Sequence, residues 1–192
     1  MLYKKFLSYR AFLTIFLTLI TMEEQKNSQP KWEAKVSARV TSASADQIWP
    51  LYTDFFNLHK WYPGLTTCHG IHGTNGEPGC IRFCSGFSVS SEGSGVDKGS
   101  ENWAKERLIA VDHSGRSLSY EIVDSNIGFN SYVATVKIVP GADGDDHQNG
   151  CVIEWSFTVD PVEGWELEDM KQKFKVGLQG QAKRMEDAIC QA

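Results

Sequence analysis

"GWELEDMKQKFKVGLQGQAKRMEDAICQA", residues 164–192, closes the chain and constrains how the rest of it must fold. Leu167, Met170, Phe174, Leu178, the Gln181/Ala182 pair, Met185 and Ile189 recur at helical spacing and form one apolar stripe. Glu163, Glu166, Glu168 and Asp169 cluster where a helix N-terminus favours negative charge. Gly177 and Gly180 are unfavourable in a helix interior, so they mark either close packing by another segment or a bend. A long helix with one apolar face needs an apolar surface to lie on.

The preceding segments supply that surface. In residues 150–160, Cys151, Ile153, Trp155, Phe157 and Val159 share one face of a period-two pattern. Segments near 66–73, 78–87, 102–112, 116–124 and 130–139 are also strand-like, with Gly, Asn, Asp and Ser between them. A first strand starts at Trp32, with Ala34, Val36, Ala38 and Val40 on its apolar face. It leads into "SADQIWPLYTDF", where Ser44 and Gln47 form a capping-box signature. Pro50 and Pro63 limit this region to two short helical pieces, roughly 44–52 and 54–60. The expected fold is α+β: one strand, two short helices, six strands and a long helix. A curved, seven-stranded antiparallel sheet around that helix lets each cover the other's single apolar face. The stretch "SSEGSGVDKGSE", 90–101, reads as a mobile, polar hairpin tip.

Composition narrows the function classes. The chain has 192 residues, 41% of them hydrophobic and 22% charged, which suits one globular domain with a sizeable core. A net charge of -5 leaves no basic stripe for nucleic acid. Five scattered cysteines form neither a dense disulfide framework nor a zinc pattern, and the histidines lack metal spacing, so no metal or other cofactor is expected. No G-x-S-x-G, GxGxxG or P-loop occurs. Residues 1–30 read as an N-terminal extension and 31–192 as a single domain. Lys4, Lys5 and Arg10 precede an apolar run, Ala11 to Ile20, shorter than the ~20 residues a bilayer span needs. Two readings stay open. Met22 is the functional start of a cytoplasmic protein, or residues 1–21 act as a secretory or weakly membrane-anchoring segment. No stable membrane insertion is expected of residues 22–192, and the expected state is a monomer.

Strand parity also aims polar residues inward. In "ENWAKERLIAVD", 101–112, Ala104, Leu108 and Ala110 form one face, with Trp103, Lys105, Arg107 and Ile109 opposite. Glu106 falls on the apolar side. Tyr120 shares a face with Leu118 and Ile122, and Tyr132 with Ala134, Val136 and Ile138. "GCIRFCSG" leaves two choices: Ile81 and Phe83 face inward, or Cys80, Arg82 and Cys84 do. An inward Arg82 could partner Glu106, since buried charges need compensation. That pair is either a structural ion pair or part of an apolar pocket with a few convergent polar groups.

The ordered segments "KW", "DFFNLHKWYPGL", "GCIRF", "WAKERLIAVD", "SLSYEIVDS", "YVATVKIV" and "IEWSF" resemble the plant lachrymatory-factor synthase-like proteins. These belong to the helix-grip superfamily, with the START domains, the birch-pollen allergens and the abscisic acid receptors. The resemblance covers about residues 31–191 and implies a cavity between sheet and helix. It implies an isomerase acting on a sulfenic acid or similar small substrate by proton transfer, with Glu106 as acid/base and Arg82 as anion anchor. Tyr120, Tyr132, Trp155 and Phe157 would line the substrate site. The loop over 87–101 is longer than in that subgroup, and the receptors' gate and latch motifs are absent. The alternative implied by the same superfamily is a non-catalytic carrier of a small hydrophobic ligand or lipid.

Overall fold

The computed structural model describes residues 30–87, 101–141 and 150–191. The expectations for residues 1–21 and for the tip of the 90–101 stretch lie outside these. Trp32–Val40 forms β1, Ala45–Thr53 forms α1, and Phe55–Lys60 forms a short 3-10 segment. Strands Thr67–His72 (β2), Ile81–Ser85 (β3), Trp103–Asp112 (β4), Ser117–Ser125 (β5), Val133–Pro140 (β6) and Cys151–Val159 (β7) follow. The helix Leu167–Cys190 (α2) comes last. The strands make one antiparallel sheet in the order β1-β7-β6-β5-β4-β3-β2. The expected α+β architecture is what the chain adopts.

Local chemistry accounts for the boundaries. Ser44 Oγ accepts from the Gln47 N–H at 3.3 Å, and Gln47 Oε1 accepts from the Ser44 N–H at 2.9 Å. This capping box satisfies two donors that the first turn of α1 would otherwise leave open. The stripe on α2 buries Met170, Leu178, Gln181, Ala182 and Met185. Phe174 stacks on Trp155 of β7, ring centroids 4.8 Å apart, and meets the Phe157 ring edge-on at 4.8 Å. Near the far end of α2, Glu186 Oε1 accepts from the backbone N–H groups of Thr41 and Ser42 at 2.7 and 2.6 Å. One carboxylate thus ties the helix to the turn leaving β1.

Parity holds along β1, β6 and β7 but slips in β4 and near the end of β5. Leu108 pairs with Tyr120 and Ala110 with Ser119, so Ile109 is an extra residue on β4. After that bulge Ala110 is exposed and Val111 packs against the core, reversing the expected face of Ala110. A second bulge sits just before it: Lys105 pairs with Asp124 and Glu106 with Ile122, which leaves Val123 extra on β5 and exposed. Bulges bend and twist a strand pair. These two flank the stretch that carries Glu106, where the sheet curves around the cavity.

Gly177 and Gly180 serve close packing. A Cβ on Gly177 would lie 2.1 Å from Tyr62 Oη, and one on Gly180 would lie 2.6 Å from Pro63 Cγ. The segment after the 3-10 turn therefore seats directly on the helix backbone.

Candidate functional site

A cavity of about 350 Å³ lies between sheet and helix. The inner face of β3 is the cysteine face: Cys80, Arg82 and Cys84 are buried, which resolves the choice the sequence left open. Arg82 and Glu106 are directly opposed in the β3–β4 register. Arg82 Nε donates to Glu106 Oε2 at 2.6 Å, and Nη2 reaches the same oxygen at 2.6 Å. Nη1 donates to the Phe55 carbonyl at 2.9 Å, and the guanidinium carbon lies 3.8 Å from the Phe55 ring centroid. Hydrogen bonding and cation–π contact together offset the cost of burying this cation.

Phe55 belongs to the 3-10 segment, whose position is set by a small polar network. Asp54 Oδ1 accepts from Asn57 Nδ2 and Asn75 Nδ2, both at 2.7 Å, and Asn75 Oδ1 accepts from the Phe56 N–H at 2.9 Å. Partial burial works against the Asp54 carboxylate, but the Asn57 and Asn75 donors outweigh it and hold its pKa below the ordinary value.

Around the ion pair the wall is aromatic. Tyr120 lies with its ring centroid 6.2 Å from those of Phe55 and Tyr132. Burial, reinforced by the Glu106 charge, pushes the Tyr120 phenol well up and raises Tyr62 to about 12. Burial also raises Tyr132, and Tyr52 as well. All four phenols are therefore protonated near neutral pH. Burial alone would lower the Arg82 pKa, but the adjacent Glu106 carboxylate overrides it and keeps the guanidinium charged.

Of the residues singled out in the sequence, Arg82, Glu106, Tyr120, Tyr132 and Trp155 line the cavity together. Phe157 does not. It is buried one layer behind, stacked on Tyr132 at 5.9 Å and touching Phe174, because the inward face of β7 fills the core before it reaches the cavity. Sequence reasoning missed Tyr52, Phe55, Tyr62 and Phe174 as lining residues. Phe174 was legible on the helical stripe. The others lie in the "PLYTDFFNLHKWYP" region, where no period reports which side chain faces inward. Among the described residues no group of three His, Cys, Asp or Glu side chains converges as a metal site. Nor is any described helix long and apolar enough to cross a membrane.

Known proteins share this architecture. A major latex-like protein 151 from Panax ginseng superposes with a TM-score of 0.60 at 16% identity, covering 82% of this chain and 97% of that one. The protein XoxI from Bacillus cereus gives 0.59 at 20% identity, covering 81% and 94%. An uncharacterised protein from Bacillus thuringiensis gives 0.59 at 20%, covering 82% and 98%. At such identities the likeness speaks for the fold alone. The sequence itself matches the family described as polyketide cyclase / dehydrase and lipid transport over residues 31–189. With a helix-on-sheet cavity and a match over most of its length, the chain belongs to the polyketide cyclase / dehydrase and lipid transport family.

Proposed function

We propose that the protein is a cavity isomerase in which Glu106 moves a proton on a small polarised substrate, in the manner of the lachrymatory-factor synthase-like proteins. The observation that carries this reading is the arrangement of the ion pair. Both Arg82 contacts fall on Glu106 Oε2, while Glu106 lines the cavity and its Oε1 accepts no hydrogen bond among the described residues. One carboxylate oxygen is thus anchored and the other is available as a base. With an alkenyl sulfenic acid, Oε1 would take the S–O–H proton. The C=C electron pair would take up the proton at the carbon two bonds from sulfur, a sulfur lone pair would close C=S, and the oxygen would keep the O–H electron pair. Product and substrate are isomers, so the step needs no net oxidant or reductant. Arg82 positions Glu106 and supplies positive potential as charge develops on the sulfenate oxygen.

General acid–base groups contribute about 10²- to 10⁴-fold, so Glu106→Gln is expected to lower turnover by that range. The assay supplies a C–S lyase with 1-propenyl cysteine sulfoxide and measures propanethial S-oxide. Retention of full activity by Glu106→Gln would refute the reading.

A second reading, a non-catalytic carrier of a small hydrophobic ligand, is favoured by the cavity itself. Its 350 Å³ exceeds what a three-carbon sulfenic acid fills. Its wall is largely aromatic and aliphatic, with Phe55, Phe87, Phe129, Trp155 and Phe174 among the lining residues, which suits an apolar ligand. Saturable binding of a lipophilic acid, with no product from wild type in the lyase assay, would decide for the carrier.

A further inference from the structure

Two cysteines that neither reading uses meet beside the ion pair. Cys68 and Cys84 are direct partners in the β2–β3 register, so both side chains project from the same face of the sheet. Their sulfurs are 2.9 Å apart, with Cys84 Sγ placed to donate to Cys68 Sγ. Cys84 lines the cavity, and its sulfur lies 4.0 Å from Glu106 Oε2. Directly opposed residues on antiparallel strands have the Cα separation that a disulfide requires. Both thiols are free in the structure, as are Cys80, Cys151 and Cys190.

We propose that Cys68 and Cys84 form a peroxide-reactive dithiol, a modification site on the cavity wall that a small hydroperoxide converts to an intramolecular disulfide. The two thiols differ in access. Cys84 lines the cavity, so a hydroperoxide there meets Cys84 first, and the buried Cys68 sulfur at 2.9 Å is placed as the resolving thiol.

In the first step Cys84, as its thiolate, attacks the outer peroxide oxygen. The O–O bond breaks, the alkoxide leaves and takes up the proton that Cys84 gave up, and Cys84 becomes a sulfenic acid. In the second, Cys68 sulfur attacks the Cys84 sulfur. The S–S bond forms as the S–O bond breaks, and the hydroxyl leaves with the Cys68 proton as water. Overall two thiols lose two electrons and one hydroperoxide becomes alcohol and water. The product ties edge strand β2 to β3 and removes the thiol that adjoins Glu106. This inference does not depend on the isomerase reading, because it rests on the cross-strand pair alone.

Cys190 provides the internal control, since it is the exposed cysteine of the five. Solvent access alone would make it react first. The test treats the reduced full-length protein with tert-butyl hydroperoxide, alkylates it under denaturing conditions and maps the peptides by mass spectrometry. The expected result is a fall in alkylated cysteines from five to three, with the Cys68 and Cys84 peptides linked, reversed by a phosphine reductant. In Cys68→Ser, dimedone should label Cys84. Oxidation of Cys190 while Cys68 and Cys84 remain alkylatable would overturn the proposal, as would retention of all five thiols. The crosslink is read on the wild-type chain, so poor folding of a variant leaves the test intact.

Discussion

Glu106 and Arg107 are neighbours on β4, and each pairs with an opposite charge directly across the sheet. Glu106 faces inward to Arg82 of β3. Arg107 faces outward to Glu121 of β5, with Nε donating to Glu121 Oε1 at 2.7 Å. The chemistry and register are alike, but the surroundings are not. The inner side chains are 5% and 14% exposed, whereas the outer Arg107 and Glu121 are 49% and 28% exposed. Water solvates and screens the outer pair, so its geometry is worth little and commits neither side chain to a fixed pose. The inner pair is largely withdrawn from water, so the Arg82 guanidinium finds its partners in the protein, and Phe55 contributes both a carbonyl and a ring. Burial turns a common cross-strand pair into a fixed carboxylate at a cavity wall.

The largest expected difference comes from removing each arginine. Arg82→Met leaves Glu106 buried without its cation and should cost about 3–5 kcal/mol in urea unfolding. Adding Glu106→Leu should recover much of that loss, because replacing both members of a buried pair with apolar groups is often close to neutral. A double variant less stable than Arg82→Met would break the comparison. The same double variant should remain inactive in the lyase-coupled assay, which separates stability from chemistry.

The next effect concerns the wall beside the inner pair. Tyr62 sits close enough for Glu106 to raise its phenol, and it packs on the bare backbone at Gly177. In an open helix Gly177→Ala should gain up to about 1 kcal/mol. Here the new methyl meets Tyr62 Oη, so a net loss of about 1–2 kcal/mol is expected from overpacking. Displacing Tyr62 should also rewet the cavity, seen as weaker fluorescence of a bound lipophilic probe. Unchanged stability and probe signal would show that Tyr62 yields without cost.

Glu186 is a third kind of carboxylate, held by backbone N–H groups instead of a guanidinium. Burial opposes its ionisation, but the Ser42 and Thr41 donors outweigh that and keep its pKa below the ordinary value of 4.5. With the folded value depressed, its stabilisation is complete above the unfolded value and is lost as pH falls through the folded one. Glu186→Gln should therefore destabilise the protein near neutrality and flatten the decline in Tm below about pH 4.5. A parallel decline in wild type and variant would contradict this. Smallest of all, Arg107→Ala should change stability by less than about 1 kcal/mol, and added salt should erase the difference.

These contrasts also show where sequence reading succeeded. The inward aim of Glu106, Tyr120 and Tyr132 follows from a period of two, displayed along β4 and β5 and, for Tyr132, extended one residue ahead of β6. Ala110 was assigned to the wrong face because one extra residue, Ile109, inverts every later side chain, and a bulge has no signature in hydropathy alone. Phe157 shows the opposite limit. Parity correctly turned it inward, but inward covers both core and cavity wall, and only the packing of Phe174 separates the two.

The amino-acid order by itself determined the succession of elements, the apolar faces of the long helix and most strands, and the presence of a carboxylate on an apolar face. Those features are local: they depend on residues a few positions apart and on the periods of helix and strand. Tertiary structure alone decided that the Arg82 face of β3 turns inward, that Phe55 and Tyr62 complete the wall, and that Cys68 meets Cys84. Each of those contacts joins residues on different elements, so it depends on sheet register, strand bulges and the glycines that let Tyr62 and Pro63 approach the helix.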